Sequence, residues 1–170
     1  MDMGGALRYA SQPVCVREVF MALVIEGEER IDAPVQKVWE ALNDPAMLKA
    51  CIPGCQSLEK KSDTELAATV VLKVGPIKAT FAGEVTLKNL SPPYSYMIVG
   101  EGKGGIAGFA KGGADVTLSE DGTGATILKY EAKADVGGKI AQLGSRLIAS
   151  TSKKLAGQFF STLNEQVSAG

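Results

Sequence analysis

The chain contains no histidine. Imidazole is the side chain most often used as a general acid or base near neutral pH, and it is the commonest metal ligand. Its absence excludes Ser-His-Asp and Cys-His catalysis and argues against zinc and haem sites. Cysteine is also scarce: Cys15, Cys51 and Cys55 are an odd number in a sequence with no apolar secretory leader, a pattern that fits reduced thiols in a cytoplasmic setting. Neither sign of charge is in excess, with 18 Lys and Arg against 19 Asp and Glu, so nucleic acid has no electrostatic case as a general partner. Uninterrupted apolar runs are missing as well. No stretch approaches the roughly 18 residues needed to span a bilayer, which leaves only peripheral membrane contact.

What is present is the material of one ordinary domain. A chain of 170 residues is expected to bury roughly 70% of its unfolded surface without disulfides or metals. Residues 1–20 have no sustained period and are read as an extension, disordered or belonging to an early start codon. The domain is read as residues 21–170. Residues 23–31 alternate apolar and charged, as a half-buried strand does. Asp32 is expected to cap a helix carrying Pro34 in its first turn, with Val35, Val38, Trp39 and Leu42 at helical spacing. A shorter helix follows at 46–50 and ends at Ile52-Pro53-Gly54. About six strands then run between turns at Lys61-Ser62-Asp63, Gly75-Pro76, Ser91-Pro92-Pro93, Lys103-Gly104-Gly105 and Glu120-Asp121-Gly122. An amphipathic helix at 138–167 closes the chain. The fold class is therefore α+β, with an antiparallel sheet receiving one long C-terminal helix.

Strand parity carries the functional reading. Ile77, Ala79, Phe81, Gly83, Val85 and Leu87 share one face, and so do Leu66, Ala68, Val70 and Leu72. Ala110, Gly112, Ala114 and Val116 form a third inward set, and Leu128, Tyr130, Ala132 and Ala134 a fourth. Many of these residues are too small to fill the space under a curved sheet at the density protein interiors normally reach. Either the helix approaches very closely or a cavity exists, and a cavity of this composition suits a hydrophobic ligand. On the helix, Ile140, Gly144, Leu147, Ile148, Leu155, Phe159 and Leu163 share one side. Gly144 and Gly157 suggest close approach or a bend. The expected lining is Val70, Leu72, Phe81, Val85, Tyr96, Ile98, Tyr130, Leu147 and Phe159. A Tyr hydroxyl inside such a cavity needs a partner, and a ligand carbonyl is one candidate for Tyr96 and Tyr130, beside plain core packing.

Other motifs give less. Cys51 and Cys55 bracket a Pro-Gly turn without further ligands and are read as structural. The glycine-rich stretch 100–113 lacks the strand-to-helix context of a phosphate cradle. Its Lys103, Ile106, Phe109 and Lys111 suit a hairpin that forms the cavity mouth and touches a membrane or partner protein, or an ordinary hairpin with a packed Phe. Lys139, Arg146 and Lys153, joined by Lys154, make a basic helix face that either meets anionic head groups or is simply solvated.

Taken together, ERIDAPVQKVWEALNDP at 29–45, ACIPGC at 50–55, KVGPIKATFAG at 73–83, GFAKG at 108–112 and VGGKIAQLGSRLI at 136–148 resemble the carbon monoxide dehydrogenase G-subunit family, over residues 21–168. That family sits in the START-like (SRPBCC) helix-grip superfamily of hydrophobic-ligand-binding proteins. The resemblance implies a sheet of about seven strands wrapped around the last helix. It also implies a non-enzymatic accessory role, attaching a carbon monoxide dehydrogenase-type molybdenum hydroxylase to the inner face of the cytoplasmic membrane and handling a quinone or other lipid. No catalytic residue, metal or permanently bound cofactor is carried over. A ligand-free interaction protein and a cyclase- or hydratase-type enzyme are the alternatives.

Overall fold

A computed structural model describes residues 20–169. The expected extension at 1–20, with Cys15, lies outside the described residues except for Phe20, whose backbone opens the first strand. Strand β1 (Phe20–Ile31) leads to helices α1 (Val35–Leu42) and α2 (Pro45–Cys51). Strands β2 (Cys55–Lys60), β3 (Glu65–Val74), β4 (Ile77–Ser91), β5 (Ser95–Lys103), β6 (Phe109–Glu120) and β7 (Thr126–Gly137) follow, and then helix α3 (Ser145–Ala169). The strands form one antiparallel sheet in the order β1-β7-β6-β5-β4-β3-β2. Five hairpins build it from β2 to β7, and β1 closes on β7 with Ile25 opposite Ala132 and Gly27 opposite Tyr130.

Period-two alternation matches the register. In β4, Phe81 and Leu87 are buried while Lys78, Thr80 and Glu84 are exposed. In β7, Leu128 and Val136 are buried while Lys129, Glu131, Lys133 and Asp135 face water. One sheet face is therefore apolar and must be covered.

Two apolar clusters fasten the covering helix. At its C-terminal end, Leu163 and Val167 pack with Ile31, Val38, Trp39, Tyr96 and Leu128. Near its N-terminal end, Ile148 joins Phe81, Ala107, Val136 and Ile140. Ile31, Val38, Leu128 and Leu163 have no exposed surface, and each such side chain contributes about 1.5–3 kcal/mol relative to exposure. Between the clusters Thr151, Ser152, Leu155 and Phe159 are only half-buried. Of the strands, the helix approaches β1 most closely and β3 next.

Two expected boundaries are corrected. Asp32 does not cap α1: Pro34 occupies the cap position without a side-chain bond. Asp32 instead pairs with Arg30, and its backbone N–H donates to Asn164 Oδ1 at 2.8 Å, tying the end of β1 to α3. The true side-chain cap is Asp44, which accepts from the Ala46 N–H at 3.0 Å with Pro45 in the first turn of α2. The last helix starts at Ser145, not at 138. Residues Lys139–Leu143 make a short 3-10 turn that ends at Gly144, whose φ of +95° is in the region open mainly to glycine and breaks the helix. Gly157 lies within α3 without a close approach; a methyl placed there would touch nothing.

Candidate functional site

The small inward residues leave real space. One chamber, of about 240 Å³, is enclosed by Leu42, Leu48, Ile52, Leu58, Leu66, Ala68, Val85, Leu87, Tyr96, Ile98, Val116, Leu128, Phe159 and Phe160. A second, of about 330 Å³, lies toward the other end of α3 between Leu23, Ile25, Leu72, Val74, Phe81, Gly102, Ala110, Ala132, Ala134, Val136, Ile140, Ile148, Leu155, Thr151 and Ser152. A more open trough of about 490 Å³ joins them, sharing Ile52, Val85 and Ile98 with the first and Leu72, Phe81, Ala132 and Leu155 with the second. Ligand cavities typically hold about 300–1,000 Å³ and are mostly apolar, so the connected space is adequate for a lipid-sized molecule.

The sequence-derived lining divides. Val70, Leu72, Phe81, Val85, Tyr96, Ile98 and Phe159 all line the chambers or the trough. Tyr130 does not. Its ring lies across Gly27, where a Cβ would collide with it, and stacks on Phe160 at 5.3 Å, supporting the chamber wall from behind. Burial and then the nearby Glu29 carboxylate raise its pKa. Leu147 is also outside the lining and packs over Gly75 at the β3–β4 turn. Phe160, Leu155 and the α2-end residues Leu48 and Ile52 were not in the expected site. The i, i+4 spacing of Leu48 and Ile52 was the available signal.

Of the residues expected at a mouth, Lys111 borders the trough, and the others are not among the lining residues of the chambers or the trough. Lys103, Phe109 and Lys111 have the parity of the outer sheet face, where Lys111 sits opposite Glu101 and Asp135. Ile106 is 82% exposed on the short 3-10 turn Gly105–Ala107, while Ala107 beside it is buried against the second cluster. At this end the backbones of Gly108, with φ of +123°, and Gly138 approach each other closely. The trough, bordered by Ile52, Pro53, Val70 and Leu155, is the more open approach. Lys139, Arg146 and Lys153 are all exposed, but Lys139 precedes the break at Gly144 and does not continue the helical stripe.

Polar chemistry inside is sparse. Among the described residues no charged one lines either chamber, while Glu101, Lys111 and Lys133 border the trough. In the first, Tyr96 supplies the only polar side chain; it is 6% exposed, and its hydroxyl has no hydrogen-bond partner among the described residues. Burial raises its pKa, which keeps the phenol protonated. Thr151 and Ser152 are the polar side chains of the second chamber. Cys51 is buried, with its thiol pKa pushed up, and Cys55 donates to the Ser57 carbonyl at 3.3 Å. Among the described residues no group of three or more His, Cys, Asp or Glu could hold a metal ion, and no helix is long and apolar enough to cross a membrane.

A seven-stranded antiparallel sheet gripping a long C-terminal helix over an apolar cavity, with two short helices after the first strand, defines a START-like helix-grip protein. Solved structures agree. A conserved protein from Geobacillus kaustophilus superposes with a TM-score of 0.82 at 29% identity, covering 86% of this chain and 96% of its own. A START superfamily protein from Mycobacterium smegmatis gives 0.66 at 10% identity, over 85% and 96%. The Zhui aromatase/cyclase from Streptomyces sp. R1128 gives 0.62 at 11%, over 86% and 94%. The last two likenesses concern the fold alone. No curated protein matches the sequence. Residues 27–168 match the model of the carbon monoxide dehydrogenase G subunit (CoxG), and the chain belongs to that family.

Proposed function

We propose that this chain is a non-enzymatic carrier that holds an isoprenoid quinone or a comparable lipid between sheet and α3, and serves a carbon monoxide dehydrogenase-type molybdenum hydroxylase at the inner face of the cytoplasmic membrane. The observation that carries the reading is the pair of chambers with uncharged linings, joined by a trough that Glu101, Lys111 and Lys133 border from outward strand positions. An apolar chain leaving water for such a cavity gains about 0.8 kcal/mol per buried CH₂. Family membership supplies the expectation of the dehydrogenase partner. The exposed Ile106, with Lys139, Arg146 and Lys153 available to anionic head groups, supports peripheral membrane contact.

The fold shared with an aromatase/cyclase raises an enzymatic reading, but proton transfer needs a positioned acid or base. Among the described residues the chambers offer no carboxylate, imidazole or amine, only hydroxyls, and the Glu101, Lys111 and Lys133 of the trough have outward strand parity. The test is a titration with decylubiquinone followed by emission of Trp39, which packs beside the first chamber. Saturable quenching is expected; unsaturable, purely collisional quenching would defeat the carrier reading.

A further inference from the structure

Tyr96 is an anomaly in an otherwise hydrocarbon chamber. Buried hydroxyls nearly always have a partner, because leaving one unmade forfeits the solvation the group had in water. The Tyr96 hydroxyl has none among the described residues, although the residue is 6% exposed. Its ring is held by an edge-to-face contact with Trp39 at 5.2 Å, and its side chain lines the chamber together with Ile98, Val116 and Phe159. No side-chain oxygen or nitrogen is both sealed off and unpartnered among the described residues, so the Tyr96 oxygen is not sealed off, and its residue lines the chamber. The phenol is thus a donor available to an occupant of the cavity. Among the described residues no Lys or Arg lines either chamber, and the Lys111 and Lys133 that border the trough have outward strand parity beside Glu101, so an anion seated next to Tyr96 would find no counter-charge.

We propose that Tyr96 reads the ligand's polar end: its hydroxyl donates one hydrogen bond to a neutral oxygen, so the cavity selects an uncharged lipid bearing a carbonyl or hydroxyl, seated oxygen end first, and rejects carboxylates of equal chain length. This rests on the carrier reading and adds a recognition residue and a charge rule to it. The remaining chain then follows the trough past Leu155 toward Thr151 and Ser152.

The experiment uses the full chain and three probes. Decylubiquinone is titrated against Trp39 emission, and dodecylbenzene, which has no oxygen, and dodecanoate are scored by their ability to restore that emission. Tyr96→Phe is expected to weaken decylubiquinone about five- to tenfold, the range of one neutral hydrogen bond, while leaving displacement by dodecylbenzene within about twofold. Tyr130→Phe, which removes a hydroxyl outside the chambers, is expected to change neither. In the wild type, dodecanoate is expected to displace at least about tenfold more weakly than dodecylbenzene. Because that comparison needs no variant, it decides the charge rule even if Tyr96→Phe folds poorly. Unchanged decylubiquinone affinity in Tyr96→Phe, or dodecanoate binding as tightly as dodecylbenzene, would overturn this inference while leaving the carrier reading intact. Failure of every probe to bind would overturn both.

Discussion

Trp39 and Tyr96 meet edge to face, with ring centroids 5.2 Å apart and planes at 85°. The contact locks helix α1 to strand β5 and places the sole tryptophan against the one polar side chain of the first chamber. Burial holds the Tyr96 phenol in its neutral form. The folded protein therefore keeps a proton that the unfolded chain releases above about pH 10, and stability falls as pH rises beyond that point. A tyrosinate absorbance titration is expected to show Tyr96 ionising only with loss of the fold, and Tyr96→Phe should lessen the alkaline loss of stability. Early, reversible ionisation of Tyr96 in the folded protein would contradict its placement.

Ala132 lies in the second chamber between Ile25 and Ala114 on the neighbouring strands. In a filled core, Ala132→Leu would cost about 1–3 kcal/mol by overpacking. Here the added carbons enter empty space, so urea unfolding is expected to show little loss, or a gain of about 1–2 kcal/mol. Decylubiquinone binding is expected to weaken in the same variant.

Thr126 is fully buried, and its Oγ1 donates to the Ala33 carbonyl at 2.7 Å, pinning the chain before α1 to strand β7. Thr126→Val preserves shape but leaves that contact unmade, with an expected cost of about 1–3 kcal/mol. Thr126→Ser keeps the donor and should lose less. Chemical denaturation of the two variants checks the order.

Asp121 organises the β6–β7 turn. Its carboxylate accepts from the Thr123 hydroxyl at 2.7 Å and the Thr123 N–H at 2.8 Å, with the Ala125 N–H and Arg30 adding to these. The Thr123 bonds foremost hold its pKa at about 2, below the ordinary 3.8. Since the folded state favours the carboxylate, its stabilisation is complete above about pH 4. It is lost as pH falls toward 2. Asp121→Asn is expected to flatten the acid limb of a stability-against-pH curve between those values.

Much of this architecture is legible in the chain because the outward Lys, Glu and Asp of β4 and β7 leave only one face for Phe81, Leu87 and Leu128. The undersized Ala132, Ala134 and Ala110 likewise announce a hollow. Tertiary competition hides the rest. Asp32 has the chemistry of a cap, yet its backbone is claimed by Asn164 from the far end of the chain. Tyr130 has inward parity, but the missing side chain of Gly27 on the adjacent strand lets its ring turn aside. Lys139 shares heptad spacing with Arg146 only if the helix is continuous through Gly144, and a positive φ there ends it. Phe109 looks like an apolar tip until its parity within β6 is fixed by pairing with Lys103 and Gly137.

Whether the cavity is occupied is read by native mass spectrometry of the protein purified from a quinone-containing host, with and without added decylubiquinone. A one-to-one adduct of neutral lipid mass is expected, removed by collisional activation and diminished by Ala132→Leu. Only the bare protein mass, persisting in excess quinone, would mean that the chambers hold no lipid.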